Sequence, residues 1–121
     1  MMVWVVSCVP QKTAIGIDRH AQGSIGGVAL SEAEMSRIAD EFADLRTAKR
    51  EVVGRADYVL VIKSRHGSDA VFSFYFEDGF FHRGMDLDAM TERMSGKDTT
   101  GYELNDSLRA VLTAIGSRSD R

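Results

Sequence analysis

The chain has 121 residues, of which 44% are hydrophobic and 27% are charged, close to the averages for globular domains. This length suits one domain, residues 1–121, and it can bury a core without disulfide or metal staples. Fifteen Lys and Arg stand against eighteen Asp and Glu, a net charge of −3, and the balance holds in both halves. The composition excludes a disordered or collagen-like chain, and without a basic stripe we expect no nucleic-acid partner.

The N-terminus carries a short apolar run that has two interpretations. Residues 1–9 are almost wholly apolar and Pro10 follows, which favours a buried β-strand, Val3–Val9. The residues before Cys8 also resemble a bacterial lipobox, although no Lys or Arg precedes them as a signal peptide requires. We expect the strand and a cytoplasmic protein. The alternative is a periplasmic or outer-membrane lipoprotein, if the true start lies upstream.

Few signals point to a metal, a cofactor or a membrane. Cys8 is the only cysteine, which excludes an internal disulfide and a cysteine-based zinc cluster. The three histidines show no H-x-H or H-E-x-x-H spacing, so no local motif proposes a metal site. No apolar run reaches the ~18 residues that a transmembrane helix requires. We therefore expect no metal, no cofactor and no transmembrane segment.

The clearest helix signal begins at Ser31. Ser31 and Glu34 form a capping-box pattern, and an apolar stripe at three- and four-residue spacing follows them. We expect this helix to carry Lys49 and Arg50 near its end and to stop at Gly54. The stripe that should face the core consists of Met35, Ile38, Phe42 and Leu45, loosely extended by Val52 and Val53.

Strand signals lie on both sides of this helix. Before it, the apolar stretches Ala14–Ile17 and Ile25–Leu30 flank a polar segment, which favours a hairpin. After it, β-prone residues predict a meander of three strands. These strands are Tyr58–Ile62, Ala70–Phe76 and Phe80–Arg83.

Two turns predict the register of the meander. Asp78 and Gly79 are a strong two-residue hairpin signal, because both positions of a type I′ turn need positive φ. The segment from Arg65 to Gly67 suits a three-residue turn with glycine in the left-handed position. The predicted pairs are Tyr58 with Phe74, Leu60 with Phe72, Glu77 with Phe80, Phe76 with Phe81, and Tyr75 with His82.

This register sorts the side chains onto two faces of the sheet. We expect the long helix to cover the first face, which carries Tyr58, Leu60, Ile62, Phe72, Phe74, Phe76 and Phe81. The second face is too apolar to lie fully in water and too polar for an ordinary core. We expect residues 1–30, a second copy or a partner to cover it. It carries Val59, Val61, Val71, Ser73, Tyr75, Phe80 and His82.

The C-terminal third returns to helix. A short helix after Asp86 is followed by a polar loop, Lys97–Gly101, and a final helix that ends at Gly116 with Asn105 or Thr100 as its cap. The predicted fold is α+β: an antiparallel β-meander with a long helix from the N-terminal half on one face and one or two C-terminal helices. The apolar positions of the two C-terminal helices are Leu87, Met90 and Met94, then Leu104, Leu108, Val111, Leu112 and Ile115.

The second face supplies the candidate site. No catalytic motif is legible, so the leading hypothesis is a non-enzymatic binding or accessory domain of bacterial, immunity- or inhibitor-type character, acting on a protein partner or a second copy. The alternative is a small hydrolase- or isomerase-like enzyme that uses His82 and Tyr75, since histidine titrates near neutral pH. A deep pocket lined by His82 would favour the enzyme. The candidate binding residues are Val71, Ser73, Tyr75, Phe80 and His82.

Overall fold

Eight strands and three helices make up the computed structural model, which describes residues 11–52, 55–64 and 67–119. The strands form one antiparallel sheet in the order β1-β4-β8-β7-β6-β5-β2-β3, so the predicted α+β class is confirmed. No described helix has the length and apolar character needed to cross a membrane. The predicted strand Val3–Val9 lies outside the described residues. In chain order the elements are β1 Lys12–Thr13, β2 Gly23–Ile25, β3 Val28–Ala29, α1 Glu32–Phe42, β4 Leu45–Arg50, β5 Tyr58–Ile62, β6 Ala70–Tyr75, β7 Phe80–Arg83, α2 Asp86–Met94, β8 Thr99–Glu103 and α3 Asp106–Ser119.

The core lies between α1, α3 and one face of the sheet. Phe42 of α1 is its centre, because its ring lies 5.1 Å from that of Phe72 and 5.3 Å from that of Phe81. The predicted first face is therefore confirmed as the core face, and each fully buried side chain of this size contributes roughly 1.5–3 kcal/mol. The buried set also includes Met35, Ile38, Leu60, Phe74, Leu108, Val111, Leu112 and Ile115.

The meander forms as predicted, but one of its two registers is wrong. Tyr58 pairs with Phe74 as expected. Across the next turn Tyr75 pairs with Phe80 and not with His82, because the turn has four residues instead of two. Gly79 has φ 61° while no residue other than glycine has positive φ in the described chain, so the type I′ turn does not form. A slip of two residues keeps every side chain on its predicted face.

Arg109 of α3 stabilises this wider turn. Its guanidinium group donates a hydrogen bond to the Phe76 carbonyl at 2.8 Å and lies 5.2 Å from the centre of the Phe76 ring. A cation above an aromatic ring is itself favourable. The turn is therefore shaped by a contact with Arg109, 33 residues further along the chain. The local sequence of the turn cannot predict this contact.

The predicted extension of the first helix to Gly54 is wrong. The capping box is confirmed, with the Glu34 amide donating to Ser31 Oγ at 3.2 Å and the Ser31 amide donating to Glu34 Oε1 at 2.8 Å. The helix ends at Phe42, however, and Leu45–Arg50 is strand β4 between β1 and β8. Leu45 still reaches the core, which is why its spacing fits the helical stripe. Sheet pairing here overrides local helix preference.

The predicted polar loop Lys97–Gly101 is also wrong. Thr99–Glu103 is β8, which pairs with β4 on one side and β7 on the other. Thr99, Thr100 and Tyr102 favour a strand, and backbone pairing on both edges adds stabilisation that offsets the glycine between them. β8 packs closely against β7 at Gly101, because a Cβ there would lie 2.7 Å from Phe80 Cζ and 2.9 Å from His82 Cβ.

The first hairpin and the ends of the last helix differ in detail from their predicted positions. The first hairpin joins β2 to β3 through Gly26 and Gly27, both with positive φ, and does not involve 14–17. Asn105 is the cap of the last helix, accepting from the Leu108 amide at 2.8 Å, whereas Thr100 lies in β8. That helix continues past Gly116, where a Cβ would overlap the Tyr58 ring.

We expect Gly101→Ala to lower the free energy of unfolding by about 1–3 kcal/mol, the usual cost of overpacking. The added methyl group would collide with the Phe80 ring and with backbone of β7. Denaturant-induced unfolding followed by circular dichroism measures the change. Gly16→Ala is the matched control, since a Cβ there meets nothing within 4 Å. Equal midpoints for the two variants would contradict the tight packing at Gly101.

Candidate functional site

The chain itself covers part of the second face of the sheet, although Val59 and Val61 are only half-buried. Tyr75 and Phe80 are buried in a small cluster with Val52 and with Ala89 of α2. Ser73 and His82 are buried as well, and Val71 is half-buried. Part of the cover therefore comes from α2, which was not among the three covers expected from the sequence. Four of the five candidate binding residues thus lie inside the molecule.

The structure brings His82 and Tyr75 together, though not as a directly opposed pair. His82 pairs across the strands with Ser73, and Tyr75 approaches diagonally so that its hydroxyl lies 3.2 Å from His82 Nε2. The two rings stack at 5.7 Å with an angle of 11°, and Phe80 extends the stack. Ser73 Oγ donates to the Gly84 carbonyl at 2.7 Å.

This arrangement has the features of a structural hydrogen-bond network. Its polar atoms have partners inside the fold, and buried polar groups need such partners to avoid a desolvation penalty. His82 is only 2% exposed, so a substrate in solution has no direct route to its ring. The geometry holds the ring in place beneath α2 and offers no open reaction site there.

A tight junction positions α2 above this stack. Gly84 has φ 138°, and a Cβ on it would lie 2.8 Å from Asp88 Oδ2 and 3.4 Å from the His82 ring. The Asp88 carboxylate accepts a hydrogen bond from the Met85 amide at 2.8 Å, which satisfies one of the free N–H groups at the helix start. The helix therefore begins directly beside the buried histidine.

Large apolar side chains of α2 and its N-cap face solvent, beside the exposed Asp88 and Thr91. We define the α2 outer face as the exposed side chains of Met85, Leu87, Met90 and Met94. The helix marked by Leu87, Met90 and Met94 was predicted from their spacing, which does not indicate the direction that the apolar side faces. The exposed fractions are 51% for Met85, 67% for Leu87, 46% for Met90 and 81% for Met94.

A cavity of about 720 Å³ opens on the opposite side of the sheet. Its walls come from the segment 15–22 before β2, from the ends of β5 and β6, and from Arg83 at the end of β7. Ile62 and Phe72 are buried core residues that also line it. No sequence signal predicts this cavity, because its walls come from distant segments that no motif links.

The two histidines that the structure describes lie apart. His20 lines the cavity, His82 is buried under α2, and His66 lies outside the described residues. Within 11–52, 55–64 and 67–119, no group of three or more His, Cys, Asp or Glu is arranged to hold a metal ion.

Comparison with known proteins adds no relative. A scan of protein-family models, a search of curated proteins and a search of solved structures each found no match to this chain.

We expect Tyr75→Phe to lower the free energy of unfolding by about 1 kcal/mol while keeping the fold, because it removes a buried hydrogen bond to His82. Thermal and denaturant unfolding measure this change. Tyr102→Phe is the control, since the structure records no hydrogen bond to the half-buried Tyr102 hydroxyl from any described residue. If both variants unfold at the wild-type midpoint, the Tyr75–His82 bond does not stabilise the fold.

Proposed function

We propose that this chain is a non-enzymatic interaction domain that works through protein contact, and that the α2 outer face is its contact surface. One observation carries the proposal: the four large hydrophobic residues recorded as exposed in the described chain all belong to this helix or its N-cap. Scattered apolar side chains on a surface need no explanation, but a contiguous group of them indicates an interface.

The orientation of α2 supports this role. Its inner side contributes one fully buried side chain, Ala89, to the cluster on the second face. Leu87, Met90 and Met94 recur at i, i+3 and i+7, the spacing of one helix face. An amphipathic helix normally turns this face towards the core. Here the small residue faces inward and the long ones face solvent, so the apolar stripe is available to another molecule.

We propose a second copy of the chain as the occupant, because α2 is complementary to itself. Asp88 lies near the helix N-terminus, whereas the C-terminal end has an excess of positive charge, because Arg93 stands beside Glu92 in the last turn and Lys97 follows. In an antiparallel pair related by a twofold axis, the acidic end of each helix meets the basic end of the other. The same arrangement places Leu87 of one copy against Met94 of the other, with Met90 near the axis.

The size of the surface predicts a weak association. A helix of nine residues is about 13 Å long, and a pair of such helices buries less than the roughly 800 Å² per partner of a standard interface. Methionine side chains adapt to irregular partner surfaces, which suits a small contact. We therefore expect a dimer that forms at high concentration and dissociates on dilution.

The other predicted functions have less support. The enzyme hypothesis required a deep pocket lined by His82, but His82 is only 2% exposed and does not line the cavity of about 720 Å³. An immunity- or inhibitor-type partner and a lipid anchor at Cys8 both stay predictions. The lipid-anchor prediction falls on residues that the structure does not describe.

We expect the double variant Leu87→Glu, Met94→Glu to remain monomeric at concentrations where the wild type dimerises. In the proposed dimer, the two substituted positions face each other across the twofold axis. The variant would therefore bring like charges together and remove the apolar contact between the ends of the two helices. Sedimentation velocity or light scattering over a concentration series measures the change. Both substituted side chains are exposed, so circular dichroism should show an unchanged fold.

The matched control is Ala33→Glu, Ala110→Glu, which adds the same charge at exposed positions of α1 and α3. This control should dimerise as the wild type does. A wild-type chain that stays monomeric at every concentration would overturn self-association. A dimer that survives in the α2 variant would place the interface elsewhere.

A further inference from the structure

The cavity on the core side of the sheet has the construction of a small-molecule site. Its floor is apolar, since Ile62 and Phe72 are buried residues of the main core that also line it. Ile15 and Ile17, half-buried, add apolar wall from the segment before β2. A volume of about 720 Å³ falls within the range of ~300–1,000 Å³ for ligand sites.

The rim of this cavity is polar and carries excess positive charge. Lys63 and Arg83 line it together with one carboxylate, that of Asp18. Asp18 already serves the local fold, because its Oδ1 accepts the His20 amide at 2.9 Å. Within the described part of the chain, the structure records no ion pair for either Lys63 or Arg83. Two cations at the mouth of an apolar cavity are therefore available to an anion.

From this combination we infer that the cavity binds an amphipathic organic monoanion: an aliphatic chain that ends in a carboxylate. The chain would lie against Ile62 and Phe72, where apolar surface leaves water. The carboxylate would meet the planar guanidinium of Arg83, which matches it in a two-pronged hydrogen bond. A single carboxylate suits the rim better than a doubly charged phosphate, because Asp18 repels the second charge.

Gly16 makes this inference testable without disturbing the core. It lines the cavity, its φ is not positive, and a Cβ on it would meet no atom within 4 Å. A large side chain at this position therefore has both permitted backbone geometry and open space. Gly16→Phe should occupy the cavity and exclude a ligand.

The probe is octanoate below its critical micelle concentration, titrated into the full chain and followed by amide chemical shifts and calorimetry. We expect saturable binding with shifts at Ile62, Phe72 and the segment 15–22. Arg83→Gln should weaken the affinity about tenfold, the usual scale for losing a charged hydrogen bond. Arg83→Lys should retain more affinity than Arg83→Gln, because it keeps the charge. Gly16→Phe should abolish saturation.

Three controls decide the outcome. Octylammonium has the same chain with the opposite charge and should not bind, and Arg37→Gln, an exposed change on α1, should bind octanoate as the wild type does. Equal binding of octylammonium, or wild-type binding by Gly16→Phe, would overturn the inference. Octyl phosphate binding more tightly than octanoate would overturn the choice of a carboxylate. Because Gly16 and Arg83 lie outside α2, these results do not depend on the α2 association.

Discussion

The pairing of β8 with β4 and β7 joins the two parts of the sheet. On one side of β8 lie β1 and β4, and on the other lie the meander and the β2–β3 hairpin. Gly101 makes this pairing possible, because any side chain there would collide with Phe80 and with the backbone of β7. If β8 left the sheet, Phe80 and His82 would lose the backbone beneath them. The buried stack and the base of α2 thus depend on one strand that contains little apolar surface.

The accuracy of the sequence-based predictions follows the range of the interactions involved. The capping box of Ser31 and the β5–β6 register depend on residues close in sequence, and both were predicted correctly. Strand β4 was missed because its spacing continues the helical stripe, and β8 was missed because Gly101 and the polar residues around it are typical of a loop. Both strands are held by pairing with strands distant in sequence, β4 with β8 and β8 with β7. The turn after β6 was predicted with the wrong length because Arg109, far along the chain, supports a wider one.

The candidate site shows a different limit. The spacing of Leu87, Met90 and Met94 correctly predicted a helix, but spacing alone does not tell which way a helix face points. The face of α2 that packs inward carries the small residue Ala89, which lies in one buried cluster with Tyr75 and Phe80. The cavity was beyond sequence reasoning for a simpler reason: its lining residues are separated in the chain and share no motif.

The weak attachment of α2 connects the fold to the proposed function. Ala89 supplies little apolar burial, and the layer beneath includes polar groups of Ser73 and His82, so the helix gains less from packing than α1 or α3 does. Segments with few buried apolar contacts are the ones that open most easily. A partner that binds α2 in its docked position on the sheet would bury Leu87, Met90 and Met94. Association would then stabilise the docking of α2 as well as the contact between molecules, because binding favours whichever state it recognises.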